Sequence, residues 1–216
     1  MSSVLKEPEA MTECRSTSPR TGRVNRVFDV LCAVVGLIAL SPLFCVIAVA
    51  IKFDDGGPVF FAQDRVGKNF RLFRLWKFRS MVTGADLCGL LTAPADSRVT
   101  HVGRLLRRHK LDELPQLFNV LAGDMQLVGA RPEVEPYVQM FRSQYAVILQ
   151  DRPGITDPAS LANRREDQMF SADRMQQQYV EEILPAKLKL SLDYQQRRSL
   201  LSDIGILLRT AFGWVQ

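Results

Sequence analysis

Val30 to Ile51 reads VLCAVVGLIALSPLFCVIAVAI, 22 residues without a charged side chain. At about 1.5 Å per residue a straight helix of this length spans roughly 33 Å, enough for the ~30 Å hydrocarbon core of a bilayer. The chain is therefore read as a membrane protein, and three ways of meeting the membrane compete. A secretory signal has the small-residue pattern Ala48-Val49-Ala50 in its favour, but its apolar part would exceed the usual ~7–15 residues and start late. A full span must absorb Ser41-Pro42 near its middle, where proline lacks a backbone donor and its ring crowds the preceding turn. A re-entrant helix would use Ser41 and Pro42 as its break. Arg20, Arg23 and Arg26 precede the run, and Lys52, Arg65, Lys68 and Arg71 follow it. Positive charge on both flanks favours two cytoplasmic ends. On these residues the re-entrant helix and the kinked span both stay open.

Before this segment, residues 1–26 lack apolar periodicity and mix Ser, Thr, Pro, Glu and Arg, the signature of a mobile basic tail. The whole chain of 216 residues is 47% hydrophobic and 24% charged, which excludes global disorder and leaves room for one domain with appendages. Its net charge is +5, but Arg65 to Arg79 and Arg98 to Lys110 together hold eleven basic residues and no acid, so the remainder is net acidic. Cationic charge gathered in this way points to a local anionic partner, such as a phosphate, a nucleic acid or lipid headgroups. Cys14, Cys32, Cys45 and Cys88 show no CxxC spacing, so neither a zinc site nor a disulfide scaffold follows, and structural thiols in a reduced compartment are expected.

After the turn cluster Asp54-Asp55-Gly56-Gly57-Pro58, the stretches Val59 to Gln63 and Phe70 to Phe78 read as strands around Gly67-Lys68-Asn69. Alternation puts Trp76 and Phe78 on one face, with Lys77 and Arg79 on the other. Met81 to Thr100 reads as loop and short helix. Val102 to Leu121 carries leucines at mostly helical spacing, interrupted at Pro115, and Asp173 to Val215 reads as helices broken by Pro185 and Gly205.

The chemistry concentrates in Lys110-Leu111-Asp112-Glu113-Leu114-Pro115-Gln116-Leu117. Adjacent carboxylates after a basic stretch could hold Mg²⁺, or one could attack phosphorus while a cation screens the phosphate. Pro115 suits the first turn of a new helix, which would set the acids near its N-terminus; acids that merely begin a helix give the same pattern. Lys77 and Arg79 could clamp phosphates or form a solvated strand face, and Arg107, Arg108 and Lys110 could face a nucleotide or headgroups. Arg131 in Gly129-Ala130-Arg131-Pro132-Glu133 and Arg152 in Arg152-Pro153-Gly154-Ile155-Thr156 sit in Pro-fixed loops, which suit ligand contacts and ordinary turns alike. His101 and His109 have no His or Cys partner at ligand spacing and are read as surface residues.

Taken together, these segments resemble the bacterial sugar transferase family, the monotopic phosphoglycosyl transferases that move a sugar phosphate from a UDP-sugar to undecaprenyl phosphate. The resemblance runs from about Arg26 to Gly213. It rests on the apolar segment with Ser41-Pro42, on Lys77-Phe78-Arg79-Ser80-Met81, on Leu111 to Val120, on Gly123-Asp124-Met125 and on Arg152 to Thr156. One departure is Ala130, where the family usually has proline, and a looser Arg131 loop is the expectation.

The resemblance implies a helix-rich α/β, monotopic membrane protein at the cytoplasmic face of the bacterial inner membrane. Its parts would be a mobile tail over 1–26, a re-entrant helix over 27–52 broken at Ser41 and Pro42, and a membrane-associated catalytic domain over 53–216 with a β-hairpin and interfacial amphipathic helices. With one long apolar segment, the minimal catalytic form is expected. Implied roles are Asp112 as nucleophile, Glu113 as its neighbour in an Mg²⁺ site, and Lys77, Arg79, Arg107, Arg131 and Arg152 as phosphate or nucleotide contacts. The implied partners are a UDP-sugar donor, undecaprenyl phosphate and inner-membrane lipids; a homo-oligomer is compatible with this reading and nucleic acid is not expected. Two other classes remain to be weighed. A membrane-tethered nucleic-acid binder would use the basic stretches with Phe73, Trp76 and Phe78 interleaved, but acids within the patch repel phosphates. A non-catalytic anchor in an assembly complex would need no acids or arginines of this kind.

Overall fold

In the computed structural model of the protein, residues 23–85, 96–162 and 174–212 are described; Cys14, Cys88 and most of the expected tail lie outside them. A single helix, α1 (Arg23–Asp55), carries the apolar segment. It is the one helix among the described residues long and apolar enough to cross a membrane, its most apolar 18 residues having a mean hydropathy of 2.8. The helix does not end at Ser41-Pro42 as expected: α1 continues through Pro42, so any change of its direction there is a bend within one helix. Pro42 cannot donate to the Ile38 carbonyl four residues back, and the Ser41 hydroxyl donates to that carbonyl instead, at 2.8 Å. The serine thus occupies the acceptor that the proline leaves open.

One face of α1 is packed and the other is bare. Val27, Leu31, Val35, Ile38, Val46, Val49 and Phe53 are exposed, and at 100° per residue they fall within an arc of roughly 120°. Asp29, Ala33, Ile47 and Ile51 on the opposite arc are buried. Near the start of the helix, Arg26 donates to the Leu121 and Met125 carbonyls, and the Leu127 N–H donates to Asp29 at 3.3 Å. Near its end, the Val102 N–H donates to Asp54 at 3.0 Å and the Arg79 guanidinium pairs with Asp55. Between them, Phe44 meets Phe78 and Phe118 edge-on. The same globular portion therefore holds α1 at both ends and in the middle.

That portion is helix-rich α/β. Strands β1 (Phe60–Val66) and β2 (Leu72–Phe78) form an antiparallel hairpin with Phe60 opposite Phe78 and Val66 opposite Leu72. The turn is longer than expected, since Asn69 and Phe70 adopt left-handed backbone (φ 54° and 60°) and displace the start of β2 to Leu72. Phe60 packs on both Trp76 and Phe78, as alternation required. Helix α2 (His101–Arg108) is capped by the Thr100 hydroxyl on the Gly103 N–H. The chain then breaks at Lys110, whose φ of 52° is left-handed, and not at Pro115. A 3₁₀ turn over Leu111–Glu113 leads through Pro115 into α3 (Gln116–Ala122), which ends at Gly123 with φ 93°.

Asn119 fixes α3 to the hairpin. Its side-chain oxygen accepts from the Trp76 N–H at 3.0 Å and its amide donates to the Arg74 carbonyl at 2.7 Å, so one carboxamide imitates a strand partner on the β2 edge. A short parallel pair follows, β3 (Gln126–Val128) with β4 (Gly154–Thr156). Gly154 is required there, because a Cβ would lie 2.1 Å from the Gly129 nitrogen. Helices α4 (Glu135–Met140) and α5 (Arg142–Ile148) precede β4, and α6 (Pro158–Ala162) follows it. The C-terminal part holds α7 (Met175–Gln178), a π turn over Tyr179–Ile183, α8 (Leu184–Arg197) and α9 (Leu200–Phe212). Pro185 lies in the first turn of α8, where its missing N–H is tolerated, and Gly205 lies inside α9. The break falls at Arg198-Ser199, where the Ser199 hydroxyl accepts from the Ser202 N–H and the Ser202 hydroxyl from the Ser199 N–H. Glycine inside a helix costs about 1 kcal/mol; burial of the adjacent Ile206 against the β3 residues outweighs it.

Replacing Asn119 with Ala strips partners from two β2 backbone groups. At about 1–3 kcal/mol per orphaned buried group, Asn119→Ala is expected to lower the unfolding free energy by about 2–4 kcal/mol, measured by denaturation of the purified protein in detergent. A loss below 0.5 kcal/mol would show that the hairpin holds α3 by other means.

Candidate active site

Asp112 and Glu113 lie in the 3₁₀ turn between the left-handed Lys110 and Pro115, a turn packed against β2 and α2. The left-handed step at Lys110 reverses the chain after α2 and turns the two acids toward the hairpin. A residue with a side chain held there stores strain of order 1–3 kcal/mol, a cost found most often at functional sites. Glu113 is enclosed by cations. Arg131 grips it with both terminal nitrogens, one at 2.8 Å from Oε2 and the other on Oε1, and the Lys77 ammonium stands 3.7 Å from Oε1. Burial alone would raise the Glu113 pKa, but Arg131 and Lys77 overcome it and hold the carboxyl well below its ordinary range.

Asp112 is treated differently by the same surroundings. It is 6% exposed, and its Oδ1 is buried without a hydrogen-bond partner. Burial first, and then the adjacent Glu113 charge, push its pKa above the ordinary value against the pull of Lys77, Arg107 and Lys110. Burial lowers the Lys77 pKa, and Glu113 opposes that shift. One acid is therefore an anion neutralised by cations, while its neighbour is left short of partners. An under-solvated carboxylate facing concentrated positive charge is suited to attack an electrophile that itself arrives with negative charge.

The orphaned oxygen also bears on the metal. Among the described residues no group of three or more His, Cys, Asp or Glu side chains gathers, so a closed protein cage for a cation is not built. Asp112 and Glu113 nevertheless offer adjacent carboxylate oxygens of the hard type that Mg²⁺ takes, and Mg²⁺ commonly completes its shell with substrate phosphate oxygens and water. Asp112 has acceptor capacity free, whereas Glu113 would have to share oxygens already held by Arg131. The residues fit an Mg²⁺ bound together with a phosphorylated substrate.

Of the residues expected from sequence, the structure brings together Lys77, Asp112, Glu113 and Arg131, with Arg107 near enough to act on Asp112 electrostatically. Two arginines are engaged elsewhere. Arg79 is buried and joins β2 to the end of α1 through Asp55, with a second bond of 3.0 Å to the Thr83 hydroxyl. Arg152 donates to the Gly123 carbonyl at 2.6 Å, closing the end of α3. The Arg131 loop has its own brace. Arg65 donates to the Pro132 carbonyl at 3.2 Å and to Glu133 at 2.8 Å, and the Tyr179 hydroxyl donates to Glu133 at 2.5 Å. These links take the place of the rigidity expected from a proline at position 130. Sequence reasoning missed the brace, because Arg65, Glu133 and Tyr179 become neighbours only through the hairpin and the C-terminal helices. It also passed over Gln116, which is 1% exposed with its Nε2 unpartnered; the one signal was its place four residues after Asp112.

Comparison with known proteins agrees with this geometry. The family model described as bacterial sugar transferase matches residues 20–216. The exopolysaccharide production protein ExoY of Sinorhizobium fredii is 35% identical over 214 residues, covering 92% of this chain and 88% of that protein. The undecaprenyl-phosphate glucose phosphotransferase of Komagataeibacter xylinus is 39% identical over 202 residues, covering 86% of this chain and 35% of the relative. The UDP-glucose:undecaprenyl-phosphate glucose-1-phosphate transferase of Escherichia coli is 35% identical over 193 residues, covering 88% and 39%. The chain thus spans most of ExoY and little more than a third of the other two.

Removing Arg131 leaves Glu113 buried with Lys77 alone. Because Arg131 is itself one-third exposed, the expected loss is about 1–3 kcal/mol of stability, and Arg131→Met combined with Glu113→Gln should recover much of it. Chemical denaturation of the two variants checks this; a double variant less stable than Arg131→Met would contradict the assignment.

Proposed function

The chain belongs to the bacterial sugar transferase family, and from that premise we propose that it is a phosphoglycosyl transferase, moving a sugar 1-phosphate from a UDP-sugar to undecaprenyl phosphate in an initiating step of polysaccharide synthesis. The observation that carries the proposal is the Asp112 carboxylate, buried with one oxygen unpartnered among Lys77, Arg107, Arg131 and Lys110. Donor and acceptor are both anionic, so a direct encounter brings like charges together. A nucleophile in the protein separates the two encounters. An Asp112 oxygen forms a bond to the β-phosphorus of the donor as the bond from that phosphorus to the bridging oxygen breaks, and UMP leaves with the electron pair. An oxygen of the lipid phosphate then bonds to the same phosphorus, the bond to Asp112 breaks, and the carboxylate returns. Neither acid needs to donate a proton.

Lys77 and Arg131, held in place by Glu113, provide positive charge for the non-bridging oxygens, and Arg107 adds to it from α2. Mg²⁺, held by Asp112 and Glu113, supplies further countercharge on the phosphates when bound. Arg79 and Arg152, bonded to Asp55 and Gly123, contribute by keeping α1 and α3 in position.

We further propose that the site lies at the cytoplasmic face of the inner membrane, with α1 bending at Pro42 so that it enters the hydrocarbon and returns. Support comes from the contacts that the catalytic portion makes near Arg26 and near Asp54, and from the single bare apolar stripe between them. A lipid phosphate at headgroup depth then meets Asp112 while its tail stays in hydrocarbon.

Incubation of the parent protein with a panel of UDP-sugars should release UMP from at least one of them when undecaprenyl phosphate is present. With donor alone, intact mass should rise by one sugar phosphate, and excess chelator should suppress the rise. Asp112→Asn keeps the size and removes the attacking charge, so it should show no adduct and at least a 1000-fold lower turnover. Near-parental turnover by that variant would reject the covalent route.

A further inference from the structure

We propose that Gln116 is a positioning residue for Asp112, its buried carboxamide N–H holding the inner oxygen of the carboxylate so that the outer oxygen faces the phosphorus; this rests on the transferase reading above. Six buried side-chain polar atoms among the described residues lack a hydrogen-bond partner. Those on Arg65, Arg79 and Arg107 belong to guanidinium groups that are engaged through other contacts, and Gln195 is tied at its opposite end to Val147 and Asp151. Asp112 Oδ1 and Gln116 Nε2 differ from these, because they are of opposite hydrogen-bonding character and lie four residues apart.

Leu114 and Pro115 between them are right-handed helical (φ −54° and −62°), and the bonds Leu114 N–H to Leu111 and Phe118 N–H to Pro115 keep the run continuous. Four residues of such a run advance about 6–8 Å along the axis, a gap that an extended Gln side chain, or a Gln with one bridging water, closes against an Asp. A donor and an acceptor each buried without a partner are both unfavourable, and meeting each other relieves both. The contact would be strongest in the resting carboxylate and again as charge returns to Asp112 in the second half-reaction. It leaves Oδ2 as the attacking atom and, in the second half-reaction, stabilises the carboxylate as it leaves phosphorus.

A bystander and a positioning residue respond differently to Gln116→Leu, which is close in volume and removes an orphaned polar group. The expected result is an unfolding temperature unchanged or raised, with adduct formation from donor alone and adduct discharge to undecaprenyl phosphate each slowed at least tenfold. The donor KM should move less than threefold. Gln116→Asn, with a shorter amide that reaches through water, should recover part of the rate, and Gln116→Glu should be slower than Gln116→Leu through repulsion of Asp112. Parental rates in Gln116→Leu, or a lowered unfolding temperature with losses that Gln116→Asn does not mend, would overturn the assignment. If the parent itself forms no adduct and releases no UMP, the transferase reading fails and this role fails with it. A parent that forms the adduct beside an equally fast Gln116→Leu overturns the role of Gln116 alone.

Discussion

A helix of 33 residues would measure about 50 Å if straight, and in this protein both of its ends are bonded to one globular portion. Arg26 and Asp29 reach the end of α3 and β3, while Asp54 and Asp55 reach α2 and Arg79. The rest of the structure depends on that double attachment. It leaves one apolar stripe of α1 free for lipid and turns the opposite face into part of the protein core, where Ala33 packs with Val120 and Met125, and Ile51 with Phe78 and Leu106. The hairpin and α3 are held between these two anchor points, and the acidic turn with Asp112 and Glu113 lies between α2 and α3. The membrane helix is in this sense a wall of the domain that carries the acids.

Against that wall the site separates two neighbouring carboxylates by what surrounds them. Glu113 is neutralised by Arg131 and Lys77, so its charge is stable and organises the cations. Asp112 receives the field of those cations without a direct bond at Oδ1, so its charge is poorly satisfied until substrate arrives. Chemistry that brings two anionic phosphates to one point needs both conditions, fixed positive charge and a nucleophile that is not already bound.

Much of this was legible in the chain. Alternation located the hairpin and its aromatic face, and the run of acids after basic residues located the turn for which we propose the catalytic role. What escaped has physical causes. Pro42 and Gly205 signal breaks in a local reading, yet Ser41 satisfies the carbonyl that Pro42 leaves open, and Ile206 packs well enough to carry a helix through glycine. Arg79 and Arg152 look like phosphate clamps in isolation, but their partners Asp55 and Gly123 lie 24 and 29 residues away and cannot be inferred from spacing. Residues that close the chain on itself and residues that hold a substrate are drawn from the same charged types, and only the fold separates them.

The central claim is that α1 dips into the membrane and returns, so that the tail and the catalytic portion share the cytoplasmic side. Its most direct test uses a background in which Cys14, Cys32, Cys45 and Cys88 are replaced, with a single cysteine introduced as Ser2→Cys or Gln216→Cys and a membrane-impermeant thiol reagent applied to intact and permeabilised cells. The account predicts that both positions are protected in intact cells and labelled only after permeabilisation. Labelling of Ser2→Cys in intact cells with Gln216→Cys protected would contradict it and make α1 a full span.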